Sequence, residues 1–419
     1  MIIKDINLRK IIDSRGNPTV EADIVTNEGF GRAAAPAGAS TGTFEAQAWP
    51  KNNVDLGISN AKENVIPSLI GIASNDQETF DETIKDKDGT KNLQNVGGNI
   101  AVALSLACAK AAADSKNIPL FEHVSKTKSY SIPAPMSNVL GGGAHAIGGT
   151  DIQEYLVTSF DNDVNTAIET NAAVHKEVAK ILKEKFPNIA LGKGDEGAWV
   201  APLENVEALE LVTKAVDNVQ KETGVEVRTG LDVAASEFYK NGKYVYKEQT
   251  LTPEEQVDFM LGLIEEYDLH SVEDPLDQND FESWASLTDQ TDSLIIGDDL
   301  YVTNSERLKE GIDVLPNGMM FWDRDNYLIA HNKSAVSFLK RFKFNLKVGR
   351  HRKEFLHHMH DKGFVKPQNG LSLKENLKQR INSWNELKGT TFRETILTDG
   401  TCLLSVSYTH LTLPTKRIV

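Results

Sequence analysis

Three short apolar segments that end in acidic residues constrain the fold of this 419-residue chain more than any other feature. They close at Asp232, at Glu273 and Asp274, and at Asp298 and Asp299, and helical patterns lie before and between them. Strands that alternate with helices usually pair in parallel, so their carboxyl ends lie at one edge of the sheet. The sequence therefore predicts an α/β fold in which these acids share an edge.

The acids at this edge predict a metal site. Several carboxylates that meet at one point repel one another unless a cation joins them, and hard oxygen ligands suit Mg²⁺ or Mn²⁺. In a βα-barrel, the carboxyl ends of the strands carry the loops that form the active site. We therefore predict that the acids at the three strand ends bind a divalent cation.

The length and composition fit a two-domain protein of the cytoplasm. The chain is long enough for a barrel and a second domain, and its contents of 40% hydrophobic and 25% charged residues are ordinary for a globular protein. No signal-peptide core or membrane-spanning stretch is evident, so we expect no membrane partner. The two cysteines, Cys108 and Cys402, are too few for a disulfide framework, and Cys108 is expected to be a buried thiol.

The order of predicted elements divides the chain into a first α+β domain and a following βα domain. Residues 1–125 contain two alternating strands and then helical patterns, and strands are expected at 136–140 and 151–158. Amphipathic helices are expected at 163–185, 203–221 and 253–267. We therefore predict an N-terminal domain at 1–125 and a βα domain at 133–318.

Four further segments carry groups that suit catalysis or binding. Each alone is also typical of an ordinary loop or strand, and only their joint order is informative. They are Gly38–Gly42 with Ser40, the glycine-rich loop with His145, Gly194–Gly197 with Glu196, and the predicted strand with Glu154.

Taken together, these segments resemble the enolase (phosphopyruvate hydratase) family, most closely its archaeal type. The resemblance runs almost continuously from residue 1 to about residue 318. The segments that carry it are Ile12–Glu21, Gly38–Gly42, Asn138–Gly142, Gly194–Gly197, Gly230–Asp232, Val272–Pro275 and Gly297–Leu300.

The resemblance implies an N-terminal α+β capping domain, an enolase-type βα-barrel and usually a homodimer. It implies reversible dehydration of 2-phosphoglycerate to phosphoenolpyruvate with two Mg²⁺ ions in the substrate-bound site. By motif, Asp232, Glu273 and Asp298 would hold the first ion and Ser40 would help to hold the second. The other implied roles are a general acid at Glu196 assisted by Glu154, which also contacts substrate, and a closing loop at His145.

The chain departs from the family after residue 318. The lysine base, the phosphate-binding Ser-His-Arg motif and the second lysine of the family do not appear there. Lys347 is 49 residues beyond Asp298, about twice the interval that one βα unit allows. We therefore expect an incomplete barrel with little or no hydratase activity.

The charge also changes at this point. The net charge of −15 divides into 27 basic against 52 acidic residues in 1–318, and 18 against 8 in 319–419. We interpret 319–404 as an unrelated basic segment. It is a fragment of another protein joined by an assembly error, the product of a frameshift, or part of a true fusion. Residues 405–419 are interpreted as an adapter-derived tail. His357, His358 and His360 could bind a metal, although no partner spacing supports a zinc site.

Two other functions stay open at the sequence level. One is a different member of the same superfamily, such as an acid-sugar dehydratase or racemase, although the loops at Gly38–Gly42 and Gly194–Gly197 favour a phosphorylated substrate. The other is a non-catalytic binding protein that uses the basic segment, but we do not expect nucleic acid as a partner, since a solvated basic face is the commoner role of such residues.

Overall fold

The computed structural model describes most of the chain. The described residues are 1–35, 38, 42–125, 130–146, 148–194, 196–314, 318–322 and 326–365, with His145 and Val314 through their backbone only, then 372, 374–375, 378–379 and the backbone of 391–396 and 402–407. The chain divides into two compact units, Met1–Val227 (unit 1) and Arg228–Val419 (unit 2). No helix in the described ranges is long and apolar enough to cross a membrane.

Unit 1 begins with an antiparallel sheet of three strands in the order β1-β2-β3. Its strands are β1 (Ile3–Ile12), β2 (Pro18–Thr26) and β3 (Phe30–Ala35). The helices that follow are α1 (Val54–Asn60), α2 (Ile66–Leu69), α3 (Gln77–Asp88), α4 (Gly98–Ser115) and α5 (Leu120–Val124), with a π-helical turn at Ala61–Val65 between the first two. This part of unit 1 is the predicted α+β arrangement.

Helix α4 packs unusually close to the sheet because β3 contains a glycine at the contact. A Cβ atom on Gly31 would lie 2.0 Å from the carbonyl oxygen of Ala107, so only glycine fits at this position. Cys108 lies on the same helix, is fully buried and donates its S–H to the carbonyl oxygen of Ser74 at 3.4 Å. The predicted buried thiol is therefore confirmed, and burial raises the pKa of the Cys108 thiol to about 12.

The second part of unit 1 holds four strands and two long helices. They are β4 (Met136–Gly141), β5 (Glu154–Phe160), α6 (Val164–Lys185), β6 (Gly192–Lys193), β7 (Trp199–Val200) and α7 (Asn205–Thr223). Strand β4 pairs antiparallel with β5 and parallel with β7, and β6 and β7 form an antiparallel hairpin. Both helices lie where the apolar periodicity predicts them, and each begins at an acidic residue, Asp163 or Glu204, that caps its free backbone N–H groups.

Unit 2 contains the strands that end in acids. Its elements up to residue 314 are β8 (Glu226–Asp232), β9 (Tyr239–Lys240), β10 (Lys243–Val245), β11 (Thr250–Leu251), α8 (Pro253–Tyr267), β12 (Ser271–Glu273), α9 (Phe281–Asp289), β13 (Leu294–Ile296), α10 (Asp298–Tyr301) and α11 (Ser305–Val314). Strands β8, β12 and β13 pair in parallel, and β9 to β11 form a separate antiparallel sheet. The predicted parallel arrangement of the acid-tipped strands is confirmed.

After α11 the alternation of parallel strands and helices stops. The remaining elements are β14 (Met320–Trp322), β15 (Leu328–His331), α12 (Lys333–Lys340), α13 (Arg352–Asp361), β16 (Thr391–Ile396) and β17 (Cys402–Ser407). Strand β14 pairs antiparallel with β15 and β16 with β17, in two separate two-stranded sheets. Over the described residues, therefore, no strand extends the parallel series beyond β13, as the predicted incomplete barrel requires.

Part of the basic segment nevertheless has its own hydrophobic core. We call the buried residues around α12 and α13 the C-terminal cluster: Leu328, Ala335, Leu339, Phe342, Phe344, Leu346, Met359 and Val365. Arg350 lies over the ring of Phe344 at 5.5 Å and Arg352 over the ring of Trp322 at 5.6 Å. Some of the positive charge therefore covers aromatic surface instead of standing free in solvent.

An ion-pair network joins the three strands of the N-terminal sheet. Asp23 on β2 accepts hydrogen bonds from Arg32 on β3 at 2.7 and 2.9 Å and from Arg9 on β1 at 2.7 and 3.0 Å. Arg9 also donates to Glu21. These two guanidinium groups, Arg32 first, hold the pKa of the Asp23 carboxyl well below its usual range.

We predict that Asp23→Asn destabilises the N-terminal sheet by about 1–2 kcal/mol at pH 7, because two charge-assisted hydrogen-bonded pairs are lost. Since the folded-state pKa is depressed, the stabilisation is present above the unfolded value of about 3.9 and is lost as the pH falls through the folded value. The difference between the variant and the wild type should therefore shrink below about pH 4. Hydrogen exchange of the β1–β3 amides at pH 7 and below pH 4 measures this effect.

The control is Asp55→Asn. Asp55 pairs with Lys10 at 2.7 Å, but both side chains are largely exposed, so its loss should change exchange little. Equal effects of the two substitutions would contradict the assignment of stability to the Asp23 network.

A second prediction concerns the C-terminal cluster. Leu339→Ala removes a side chain that is 1% exposed and should destabilise the cluster by about 2–5 kcal/mol, through lost burial and the cavity left behind. Limited trypsin digestion should then cut faster after Lys340, Arg341 and Lys343. Val348→Ala, at a side chain that is 62% exposed, is the control and should leave the digestion rate unchanged. Rapid cleavage of the wild type at the same bonds would show that the cluster is not folded.

Candidate active site

The parallel register of unit 2 places its acidic residues at one edge. Asp232 at the end of β8 is the register partner of Glu273 at the end of β12, and Glu273 is the partner of Ile296 at the end of β13. Asp298 follows two residues later as the first residue of α10, so the prediction that it ends the strand is wrong by two residues. The chain leaves the sheet at Gly297, and Asp298 therefore lies just beyond the edge.

The backbone fixes these strand ends to one another. The amide of Val233 donates to the carbonyl oxygen of Glu273 at 2.9 Å, and the amide of Asp274 donates to that of Ile296 at 2.9 Å. The amide of Ala235 likewise donates to the carbonyl oxygen of Asp274 at 2.9 Å. The parallel ladder thus continues through the acidic residues, which keeps their Cα atoms level.

The acids influence one another's protonation. Burial, reinforced by the negative charges of Asp232, Asp298 and Asp299, raises the pKa of Glu273 to about 7. Burial likewise raises the pKa of Asp274 to about 8, although a hydrogen bond from the amide of Asp299 opposes the shift. The acidic residues of all three strand ends are therefore close enough to share one electrostatic environment.

Asp274 is the most constrained of these acids. It is 3% exposed and has a φ of 41°, in the left-handed region that residues with a side chain rarely adopt. Its Oδ2 accepts the amide hydrogen of Asp299 at 2.9 Å, whereas its buried Oδ1 has no hydrogen-bond partner within the described structure. A buried carboxylate oxygen without a donor, among other acids, fits a cation-binding edge.

The donor chemistry of this edge fits a hard divalent cation, but the side chains do not form a closed cage. All candidate ligands are carboxylates, which suit Mg²⁺ or Mn²⁺. Among the residues that the structure describes, however, no group of three or more His, Cys, Asp or Glu side chains is arranged to hold a metal ion, including His357, His358 and His360. The metal site at Asp232, Glu273 and Asp298 therefore stays a prediction.

Two further acidic candidates lie on unit 1. Glu154 is the first residue of β5, is half-buried and is the register partner of Gly141 at the end of β4. Glu196 is exposed in the turn between β6 and β7, and its Oε2 accepts a hydrogen bond from Asn138 Nδ2 on β4 at 3.3 Å. The sequence analysis missed Asn138 as a site residue, although it lies inside the quoted segment Asn138–Gly142.

Two candidates cannot be placed by their side chains. Ser40 lies outside the described residues, and His145 is described only as backbone, at the end of a 3-10 turn at Gly143–His145. A glycine just before this turn serves close packing. A Cβ on Gly142 would lie 2.1 Å from Thr150 Oγ1 and 2.5 Å from the carbonyl oxygen of Ile152, so this glycine permits tight packing.

Comparison with known proteins identifies the family. Residues 3–124 match the family model described as Enolase, N-terminal domain, and residues 129–321 match that of the Enolase, C-terminal TIM barrel domain. The enolase of Halorubrum lacusprofundi is 48% identical over 74% of this chain and 78% of its own length. The enolase of Methanothermobacter thermautotrophicus is 47% identical over 75% and 77%, and that of Archaeoglobus fulgidus is 42% identical over 81% and 84%.

The fold and the two family models therefore define an α/β protein of the class that combines an enolase-type N-terminal domain with a TIM-barrel domain. Within that class, the chain belongs to the enolase family. The expected family, fold class and phosphopyruvate hydratase ancestry are confirmed.

Proposed function

We propose that this chain is an enolase-family lyase whose site is of the type that binds 2-phosphoglycerate with Mg²⁺ and dehydrates it reversibly to phosphoenolpyruvate. The observation that carries the proposal is the level, electrostatically coupled row of acids at the ends of β8 and β12 and just beyond β13. Acids whose pKa is raised by burial, and further by neighbouring negative charge, reduce stability, and such groups concentrate at functional sites. The family membership supplies the substrate class.

Asp232, Glu273 and Asp298 are proposed to hold one Mg²⁺, with Ser40 contributing to a second once substrate binds. When bound, Mg²⁺ stabilises the negative charge that develops on the substrate carboxylate as a proton leaves the adjacent carbon. Enzymes of the enolase superfamily are already known to combine a Lys or His base with Mg²⁺ in this way, so the principle is general to the superfamily and not particular to this chain.

The acids of unit 1 are proposed to act on the leaving hydroxyl group. Glu196 is exposed at a turn and would donate the proton with which the 3-hydroxyl leaves as water. Glu154 would assist it and contact the substrate, and His145 would approach the substrate from its loop. Asn138, which donates to Glu196 at 3.3 Å, would hold the carboxyl group in the orientation from which it acts.

We further propose that the proton-abstraction step is severely impaired in this chain. The family's lysine and phosphate-binding motifs are absent from its sequence, and Lys347 is an exposed residue between α12 and α13. The relatives support a cytoplasmic enzyme of glycolysis and gluconeogenesis, and a homodimer is expected by the same resemblance.

The first test is metal binding. Asp232→Asn removes one charged oxygen and should weaken binding of Mn²⁺, used as a paramagnetic probe for Mg²⁺, by at least about tenfold. Electron paramagnetic resonance of free Mn²⁺ measures the affinity. Asp258→Asn, at an exposed position on α8, is the matched control and should bind as the wild type does. Equal affinities of the two variants would remove the metal site from Asp232.

The second test is turnover. The purified chain should dehydrate 2-phosphoglycerate at least about 10²–10⁴-fold more slowly than an intact relative, because a positioned general base contributes a factor of that size. Absorbance of phosphoenolpyruvate measures the rate, and the Halorubrum lacusprofundi enolase is the positive control. Turnover close to that of the control would show that another residue supplies the base. Dehydration of an unphosphorylated acid sugar instead would assign the chain to a different reaction of the superfamily.

A further inference from the structure

The proposed general acid Glu196 lies in the turn of a short β-hairpin, which β6 and β7 form. Strands β6 and β7 have two residues each, and their register pairs are Gly192 with Val200 and Lys193 with Trp199. In the turn between them, the amide of Gly194 donates to Ala198 at 2.9 Å and that of Gly197 donates to Gly194 at 3.0 Å. A two-stranded ribbon of this size is marginal by itself. Its pairing with β4 has one register pair, Leu140 with Trp199, so its position depends on side-chain contacts as well.

His175, in the middle of α6, supplies several of these contacts. Its Nε2–H donates to the carbonyl oxygen of Gly197 at 3.0 Å, immediately after Glu196. Because a carbonyl oxygen only accepts, this contact places the ring hydrogen on Nε2. The backbone carbonyl oxygen of His175 accepts from Trp199 Nε1 at 2.9 Å, and the two rings stack with centroids 5.2 Å apart and an interplanar angle of 27°. One residue therefore fixes both the tip and the returning strand of the hairpin.

A second contact of the Trp199 ring adds to this support. Lys193 on β6 lies with its Nζ 4.5 Å from the Trp199 ring centroid. A cation over the indole ring is favourable, most of all where the ring is partly shielded from water. Trp199 thus interacts with both strands of the hairpin and with α6.

The same helix also holds the strand that carries Asn138, the hydrogen-bond partner of Glu196. Asn171, one turn before His175, donates through Nδ2 to the carbonyl oxygen of Pro135 at 2.8 Å and to Ser137 Oγ at 3.0 Å. Residues four apart lie on one face of a helix. Two adjacent turns of α6 therefore contact the beginning of β4, which carries Asn138, and the β6–β7 turn, which carries Glu196.

We propose that His175 is a positioning residue for Glu196, acting through the Gly197 carbonyl and Trp199. The proposal rests on the general-acid role given above to Glu196. The positioning role of His175 requires the ring N–H and the stacking surface of the ring. It does not require the charge of an imidazolium, because the partner is a neutral carbonyl group.

The test compares His175→Leu with His175→Gln in the full chain. The Leu variant removes the donor and should raise the hydrogen-exchange rates of the 194–199 amides about tenfold, while the Gln variant keeps a side-chain N–H donor and should restore most of the protection. Lys176→Gln, at the neighbouring exposed position of α6, is the control and should leave the rates unchanged. Unchanged exchange in the Leu variant would overturn the proposal.

A second readout asks whether the contact matters for Glu196. Affinity for 2-phosphoglycerate in the presence of Mg²⁺ should fall about tenfold in His175→Leu and should not fall further when the substitution is made in a Glu196→Gln background. If the two substitutions lower the affinity independently, so that their effects add in the double variant, His175 has a structural role only and the proposal is overturned. If the wild type binds no 2-phosphoglycerate, the proposed function fails, and the exchange experiment alone decides whether His175 holds the turn.

Discussion

Negative charge gathered along one sheet edge is the constraint on which the rest of unit 2 depends. The parallel register leaves Asp232 and Glu273 side by side, and Asp274 lies buried directly behind them. Such crowding opposes folding, because each carboxylate loses hydration and faces its neighbours' charge. A chain under selection for stability alone would place apolar residues here. The presence of acids at this edge is therefore best explained by a function that needs them.

Glu196 of unit 1 is held in a different way from the buried acids of unit 2. Glu196 is exposed and little constrained by burial, so its orientation depends on hydrogen bonds and not on the shape of a core. Asn138 contacts the carboxylate directly, and His175 contacts the backbone one residue later. A general acid must meet the leaving oxygen within hydrogen-bond reach. Holding the turn through two separate contacts satisfies that requirement while the carboxyl group stays open to solvent.

The sequence predicted the local features of this protein better than its long-range contacts. The helices at α6, α7 and α8 follow from apolar periodicity, and the parallel strands follow from their alternation with helices. Asn138 and His175 escaped notice because their partners lie 58 and 22 residues away, and no periodic pattern marks such a contact. The assignments of Ser40 and His145 depend on the family resemblance alone.

The C-terminal cluster bears on how the chain came to depart from its family. In the stretch after α12, Phe342, Phe344 and Leu346 are buried while the residues between them are exposed. Alternation of this kind, with α12 and α13 closing the same core, requires a consistent apolar pattern over some 40 residues, which translation in a wrong frame rarely produces. The packing of the C-terminal cluster is therefore more consistent with a genuine coding sequence than with a frameshift, and the origin of the basic segment stays a prediction. Within the described residues, β14 pairs with β15 and not with β13, so this segment does not continue the parallel series of unit 2.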